Sequence, residues 1–350
     1  MLPKVVGLIL EKTRRESRAF CEDLINVAID KGRFSGSVAL GDSICEINVS
    51  GSGLATQTIV ETLVRDENPK MSLPTNPRVY VISREDLPAL PPLEWARGWI
   101  ANHQVVPESV SYPFRVFLDR NTGQVYVYDS RSQTGVVWIR HQFQTDLRGM
   151  ITPFRLMWSW LATSIGASVI HASAVHTTHG TAVFAGASGS GKSTTALNLA
   201  LRGDYLISDD CLWVQDEKCY PVFSRAKVDG DSAIANTLIQ HHIALSTYPT
   251  IGRSKAFFTI AELNKRMLSP TRVIHIFFPH ISPTSRHLML APRPSYQRLE
   301  RDSGRELFTN GVRSRLRIAN LCNNVPASLL CLAPDTDKNS RLIHSVLQRN

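Results

Sequence analysis

The run Gly186-Ala187-Ser188-Gly189-Ser190-Gly191-Lys192-Ser193 fits the pattern G-x-x-x-x-G-K-[ST] at every fixed position. The chemistry of that pattern is phosphate binding. Glycines let backbone N–H groups approach phosphate oxygens with no side chain in between. The lysine can reach the β- and γ-phosphates, and the final hydroxyl can ligate Mg²⁺. The candidate nucleotide-binding residues are therefore Gly186, Ser188, Gly189, Ser190, Gly191, Lys192, Ser193 and the following Thr194. Such a turn works between a strand and a helix N-terminus, whose dipole adds partial positive charge. The flanks meet that demand: residues 181–185 read as a buried strand, and 194–201 contain good helix formers and no breaker.

A second chemical signal follows. Tyr205-Leu206-Ile207-Ser208-Asp209-Asp210 ends an apolar run on two carboxylates. Strands that end at one sheet edge deliver their last side chains beside the phosphate-binding turn. Two adjacent acids can divide the work. One can hold Mg²⁺, directly or through water, and the other can accept a proton from an attacking hydroxyl.

The elements that must position these groups are legible in outline. Residues 169–175, 205–208 and 211–215 read as further strands, and 153–165 as an amphipathic helix with Trp158 and Trp160 in the core. Past residue 291 the signals weaken to a basic helix at 305–318, a strand at 329–333 and a helix at 338–348. Residues 1–150 carry no chemical motif. They predict a helix over 20–31, strands over 35–49 broken at Gly41-Asp42, a strand over 78–82, a hairpin over 114–128 turning at Asn121-Thr122-Gly123, and a strand over 136–140. The expected class is α/β: a P-loop nucleotide-binding domain over 151–350, preceded by an α+β N-terminal lobe over 1–150 that supports it or shapes a substrate groove.

Composition narrows the setting. A chain of 350 residues with 43% hydrophobic and 20% charged residues can bury a core and is not a disordered polyelectrolyte. The net charge of +9 favours anionic partners without choosing among them. Between Gly252 and Arg317, thirteen Lys or Arg stand against four acids. No aromatic residues interleave with them in an RNA-binding signature, so nucleic acid fits poorly. Six cysteines without a C-x-x-C read as free thiols of a reducing cytoplasm. No apolar run is long enough for a membrane span. A homo-oligomer is left open.

From residue 169 to 214 the chain resembles the catalytic domain of the HPr kinase/phosphorylase family. That family carries a His-led strand, a loop of the form G-x-S-G-x-G-K-S, a helix, and then R-G-x-x-L-x-x-D-D. The matching residues are His171, Gly186 to Ser193, and Arg202-Gly203-Asp204-Tyr205-Leu206-Ile207-Ser208-Asp209-Asp210. The resemblance implies transfer of the ATP γ-phosphate to a protein serine, with Mg²⁺. It implies Asp209 as the proton acceptor, Asp210 with Ser193 on the metal, Lys192 on the phosphates, and His171 near the phosphates or orienting the acid–base Asp. The family's downstream glycine-rich signature with its metal-binding Glu is absent. Arg225 and Lys227 stand in that region instead, where they could contact phosphates or an anionic acceptor. The likeness is thus to divergent HPr-kinase-like proteins, some of which accompany peptide-modification and lasso-peptide systems. The missing signature leaves open the reverse phosphorylase reaction and HPr itself as acceptor. A peptide or protein serine is the implied acceptor. Three other readings stay open: a kinase of the same chemistry acting on a small molecule such as an amino acid or sugar, a nucleotide-gated regulatory ATPase, and an inactive nucleotide-binding module.

Overall fold

The computed structural model describes residues 2–40, 43–50, 62–63, 76–90, 93–97, 106, 111–119, 123–139, 152–250, 253–265, 271–307 and 312–349. The expected turns at Gly41-Asp42 and Asn121-Thr122 lie outside the described residues. The chain divides into two compact units, residues 1–61 with 65–146, and residues 62–64 with 147–350.

The first unit is a helix and one mixed sheet. Helix α1 (Leu2–Lys31) is longer than the 20–31 stretch expected, and its second half carries the buried stripe Phe20, Cys21, Leu24 and Ala28. The strands are β1 (Arg33–Leu40), β2 (Ser43–Val49), β3 (Arg78–Ser83), β4 (Phe114–Asp119), β5 (Gln124–Asp129) and β6 (Thr134–Ile139), in the order β1-β2-β3-β6-β5-β4. Phe114 pairs with Asp129 and Asp119 with Gln124, the antiparallel register of the hairpin read from the sequence. The core joins Phe20, Leu24 and Ala28 to Tyr80, Val116, Val127 and Trp138, and the Trp138 indole N–H donates to the Leu87 carbonyl.

The second unit is mixed α/β and carries the chemical motifs. It opens with α2 (Arg155–Ser164), in which Trp158 and Trp160 are fully buried. Strand β7 (Ser168–Ile170) and β8 (Ala172–Thr177) split the single strand expected over 169–175. The break falls at His171, whose N–H donates to the Ser303 hydroxyl instead of to a neighbouring strand. Strand β9 (Gly180–Ala185) returns antiparallel to β8, so this region is a hairpin before it is an alternating α/β fold. Helix α3 (Lys192–Ala200) and β10 (Tyr205–Ser208) follow, then β11 (Leu212–Gln215) and β12 (Lys218–Pro221).

Beyond them lie β13 (Arg225–Asp229), α4 (Ala233–Gln240), β14 (Ser246–Thr250), β15 (Arg253–Thr259) and α5 (Ile260–Asn264). The long β16 (Thr271–Ile281) and β17 (Arg286–Leu290) precede two helices, α6 (Pro292–Leu307) and α7 (Val312–Asn324). These replace the single basic helix expected over 305–318, and 308–311 lie outside the described residues. Strand β18 (Ala327–Leu332) and α8 (Thr336–Leu347) complete the unit.

The main sheet has the path β10-β8-β9-β16-β12-β11-β7, with β18 parallel to β16 and β17 antiparallel to β18. Side chains alternate across it with the two-residue period of a strand. On β9, Ala182 and Phe184 face α3 and α8, while Val183 and Ala185 face α6 and α7. Both faces are covered, which is why β9 reads as an unbroken apolar run. Phe184 stacks on Phe277 of the parallel neighbour β16 at 5.5 Å and 15°. Removing that ring would cost about 3–5 kcal/mol, so the strand that launches the glycine-rich turn is firmly held. Among the described residues no helix is long and apolar enough to cross a membrane.

Candidate active site

The turn from β9 to α3 is built by its glycines. Gly189 and Gly191 take φ of +80° and +100°, a region that L side chains avoid. At Gly191 a Cβ would sit 2.8 Å from Leu332 Cδ1, so close packing forbids a side chain as well. Gly191 is the N-cap of α3 and brings no side-chain cap, and no acid stands in the first turn. The first-turn N–H groups of Lys192, Ser193 and Thr194 thus have no capping oxygen to satisfy them, the arrangement that suits an anion. The Lys192 ammonium donates to the carbonyls of Gly186 (2.7 Å) and Ala187 (3.0 Å), which ties the turn closed over its own backbone. Burial pulls this ammonium below its ordinary pKa, against the opposing pull of Asp210. The Ser190 hydroxyl oxygen is buried with no hydrogen-bond partner among the described residues.

The two acids take separate surroundings. Asp210 has φ of +69°, so the backbone turns over between them. Asp209, 1% exposed, points inward. Its Oδ1 accepts from Ser193 Oγ (2.6 Å) and Ser173 Oγ (2.7 Å), and its Oδ2 from the Lys227 N–H (3.2 Å). Asp210 faces three cationic or ionisable groups instead. Lys227 Nζ lies 2.6 Å from its Oδ1, His171 Nδ1 3.4 Å from the same oxygen, and an Arg155 nitrogen 3.7 Å from Oδ2. The His171 Nδ1–H donates to the Asp210 carbonyl at 2.8 Å, which fixes the ring. Burial alone would raise the Asp210 pKa, but Lys227, His171 and Arg155 together hold it well below the usual carboxylate range.

The sequence reading sets Ser193 and Asp210 together on a metal. The hydroxyl of Ser193 is bonded to Asp209, and Asp210 lies with the cations. The reason is local: neighbouring residues on a chain that reverses through a left-handed position point to different sides. Asp210, His171 and Lys227 line a cleft of about 640 Å³ together with Ser188, Gly189, Gly191, Lys192, Ser193 and Thr194. Gly186, Ser190 and Asp209 stand behind that lining.

Several partners were not read from the sequence. Ser173 is two residues after His171, a spacing that puts both on one side of an extended chain, and that period could have exposed it. Arg155 is the lone charge in an otherwise apolar helix, which is itself a signal. Lys227 was noted only for its charge; here it bridges both acids, by its backbone to Asp209 and its ammonium to Asp210. Arg225 goes elsewhere, with its guanidinium over the Phe257 ring at 5.1 Å. Of the basic segment, Arg301 binds Asp302, and Arg317 donates to the carbonyls of Thr163 and Ala167.

The residues present fit a triphosphate and a hard divalent cation. Open space lies beyond the Gly189 Cα, where a Cβ would meet nothing within 4 Å. The Ser193 hydroxyl and Asp209 carboxylate offer adjacent oxygens, the donor type Mg²⁺ takes. Among the described residues no three His, Cys, Asp or Glu side chains gather into a metal cage. Such an ion would draw its remaining ligands from phosphate and water.

No known family description matches the chain. No curated protein matches it. Among solved structures it is similar to an HPr(Ser) kinase/phosphatase from Coxiella burnetii, at 13% identity and a TM-score of 0.26, over 52% of this chain and 92% of that one.

Proposed function

We propose that this chain is an ATP- and Mg²⁺-dependent phosphotransferase that acts on a hydroxyl, most specifically a serine of a peptide or protein. One observation carries the reading: an uncapped helix N-terminus, a tethered lysine, Ser193 and the Asp210 carboxylate line one cleft, and Asp209 is bonded to Ser193 from behind that lining.

Each residue then has a task. The amides of the Gly186–Ser193 turn and the Lys192 ammonium grip the β- and γ-phosphates of the donor. Ser193 and Asp209 would hold Mg²⁺, which when bound neutralises charge on the phosphate oxygens. Asp210 faces the cleft and receives the proton of the acceptor hydroxyl. The acceptor oxygen bonds to the γ-phosphorus, the bond from that phosphorus to the bridging oxygen breaks, and ADP leaves with the electron pair. A carboxylate of low pKa suffices, because in a loose transition state the hydroxyl gives up its proton late. Lys227 lies beside the transferring group, where a cation stabilises developing charge. His171 holds the backbone of Asp210 and so keeps the carboxylate aimed. This assigns Asp209 to the metal side and Asp210 to the proton.

The site is tested by incubation with γ-labelled ATP, Mg²⁺ and a panel of serine-containing peptides, read by mass spectrometry. The expected result is one added phosphate on a serine, lost in Lys192→Ala. Release of free phosphate alone, unchanged by any peptide, would overturn the transferase reading in favour of an ATPase.

A further inference from the structure

The cleft lining is mixed. Its charged members include Asp210, Lys227, Asp229 and Lys255, with Lys255 paired to Asp229. Its apolar members include Ile281, Leu332 and Pro334. Ile281 is 65% exposed. It belongs to the turn's own surroundings. A Cβ on Gly191 would lie 2.8 Å from Leu332 and 4.0 Å from Ile281, so this apolar wall begins one residue from the first-turn amides.

We propose that Ile281, Leu332 and Pro334 form the seat for the nucleobase of the phosphoryl donor, and that this seat takes any purine with little discrimination. The proposal rests on the phosphotransferase reading above. A triphosphate gripped at Lys192 directs its nucleoside along the cleft lining. Against the charged side chains a flat heterocycle would strip water from ions already paired, which is costly. Against Ile281, Leu332 and Pro334, beside the turn, it covers exposed aliphatic surface.

The weak discrimination follows from hydrogen bonds already made. Asn339 Oδ1 accepts from the Ala333 N–H (3.0 Å) and from Ser285 Oγ (2.7 Å), and its Nδ2 donates to the Ala333 carbonyl (2.8 Å). Ser340 Oγ donates to the Thr336 carbonyl (2.9 Å), and Thr336 Oγ1 accepts from Arg202. The loop that would have to read a base edge spends these groups on itself. A site that offers mainly apolar contact cannot strongly reject an analogue of the same shape.

The test is titration calorimetry with Mg²⁺, using ATP, GTP and inorganic tripolyphosphate as probes. ATP should bind about tenfold more tightly than tripolyphosphate, the worth of burying one aliphatic side chain against a base. ATP and GTP should agree within about threefold. Ile281→Ser should lose about fivefold for ATP and nothing for tripolyphosphate, and Ile281→Phe should retain ATP affinity. Because the side chain is largely exposed, both variants keep the fold, which thermal melting checks. Equal ATP affinity in wild type and Ile281→Ser, or rejection of GTP by more than about a hundredfold, would overturn the seat while leaving the kinase reading intact. A wild-type protein that binds neither ATP nor tripolyphosphate would remove both.

Discussion

Replacing Asp210 by Asn separates the charge at this position from its shape. The Asp210 side chain is 6% exposed and faces Lys227, His171 and Arg155. Taking one partner from a fully buried ion pair costs about 3–5 kcal/mol. Here Lys227 is 31% exposed and can turn to water. An amide also still accepts a hydrogen bond, so the expected loss at pH 7 is about 2 kcal/mol. Acid should narrow the gap. Burial acts to raise the Asp210 pKa and the three neighbours lower it further than that, leaving the folded value depressed. A depressed carboxylate contributes stability that is complete above the unfolded value of about 3.9 and is lost as pH falls toward the folded one. With the native group still ionised at pH 3, about 1 kcal/mol has gone by then. The wild-type advantage should shrink from about 2 to about 1 kcal/mol between pH 7 and pH 3. Urea unfolding of both proteins at the two pH values measures it. An equal gap at both would refute the claim that the cations act on the charge. In the transfer assay Asp210→Asn should bind ATP normally and lose about 10²- to 10⁴-fold in rate.

Ser193→Ala and Asp209→Asn should each weaken Mg²⁺-dependent ATP binding, and the double variant should fall short of the sum by about 1 kcal/mol, since the two share one hydrogen bond. Strict additivity in a calorimetric cycle would separate the two residues. All six cysteines are free and buried. Burial pushes the thiols of Cys211 and Cys322 up to about 12 and that of Cys219 to about 11. The native protein should therefore resist a thiol-reactive dye that modifies the denatured chain completely. Rapid labelling of any one cysteine in the native state would contradict its placement.

The glycine-rich turn was legible because everything that makes it is contiguous: an apolar strand, three glycines in left-handed or near-left-handed positions and a helix without breakers. The hairpin of β4 and β5 was legible for the same reason. The separate surroundings of Asp209 and Asp210 were not. They depend on a left-handed residue that no local pattern marked, and on Lys227, which reaches the acids from a strand of a different sheet. Arg155 and Ser303, which hold Asp210 and His171, lie far away along the chain. The basic region past residue 291 misled for another reason. Arg293 and Arg301 of α6 and Arg313 and Arg315 of α7 are exposed, so the same basic composition continues from one helix to the next.

Leu332, which packs on the last glycine of the turn, ends a strand that the ribosome makes long after the turn itself. β18 lies beside β16, and β16 beside β9. A nascent chain that has emerged only as far as α3 has the glycine-rich run and the β8–β9 hairpin, and neither β16 nor β18. Competence to hold a nucleotide should therefore arise late in synthesis, when residue 332 clears the exit tunnel, and arrested chains of graded length would show it as a step.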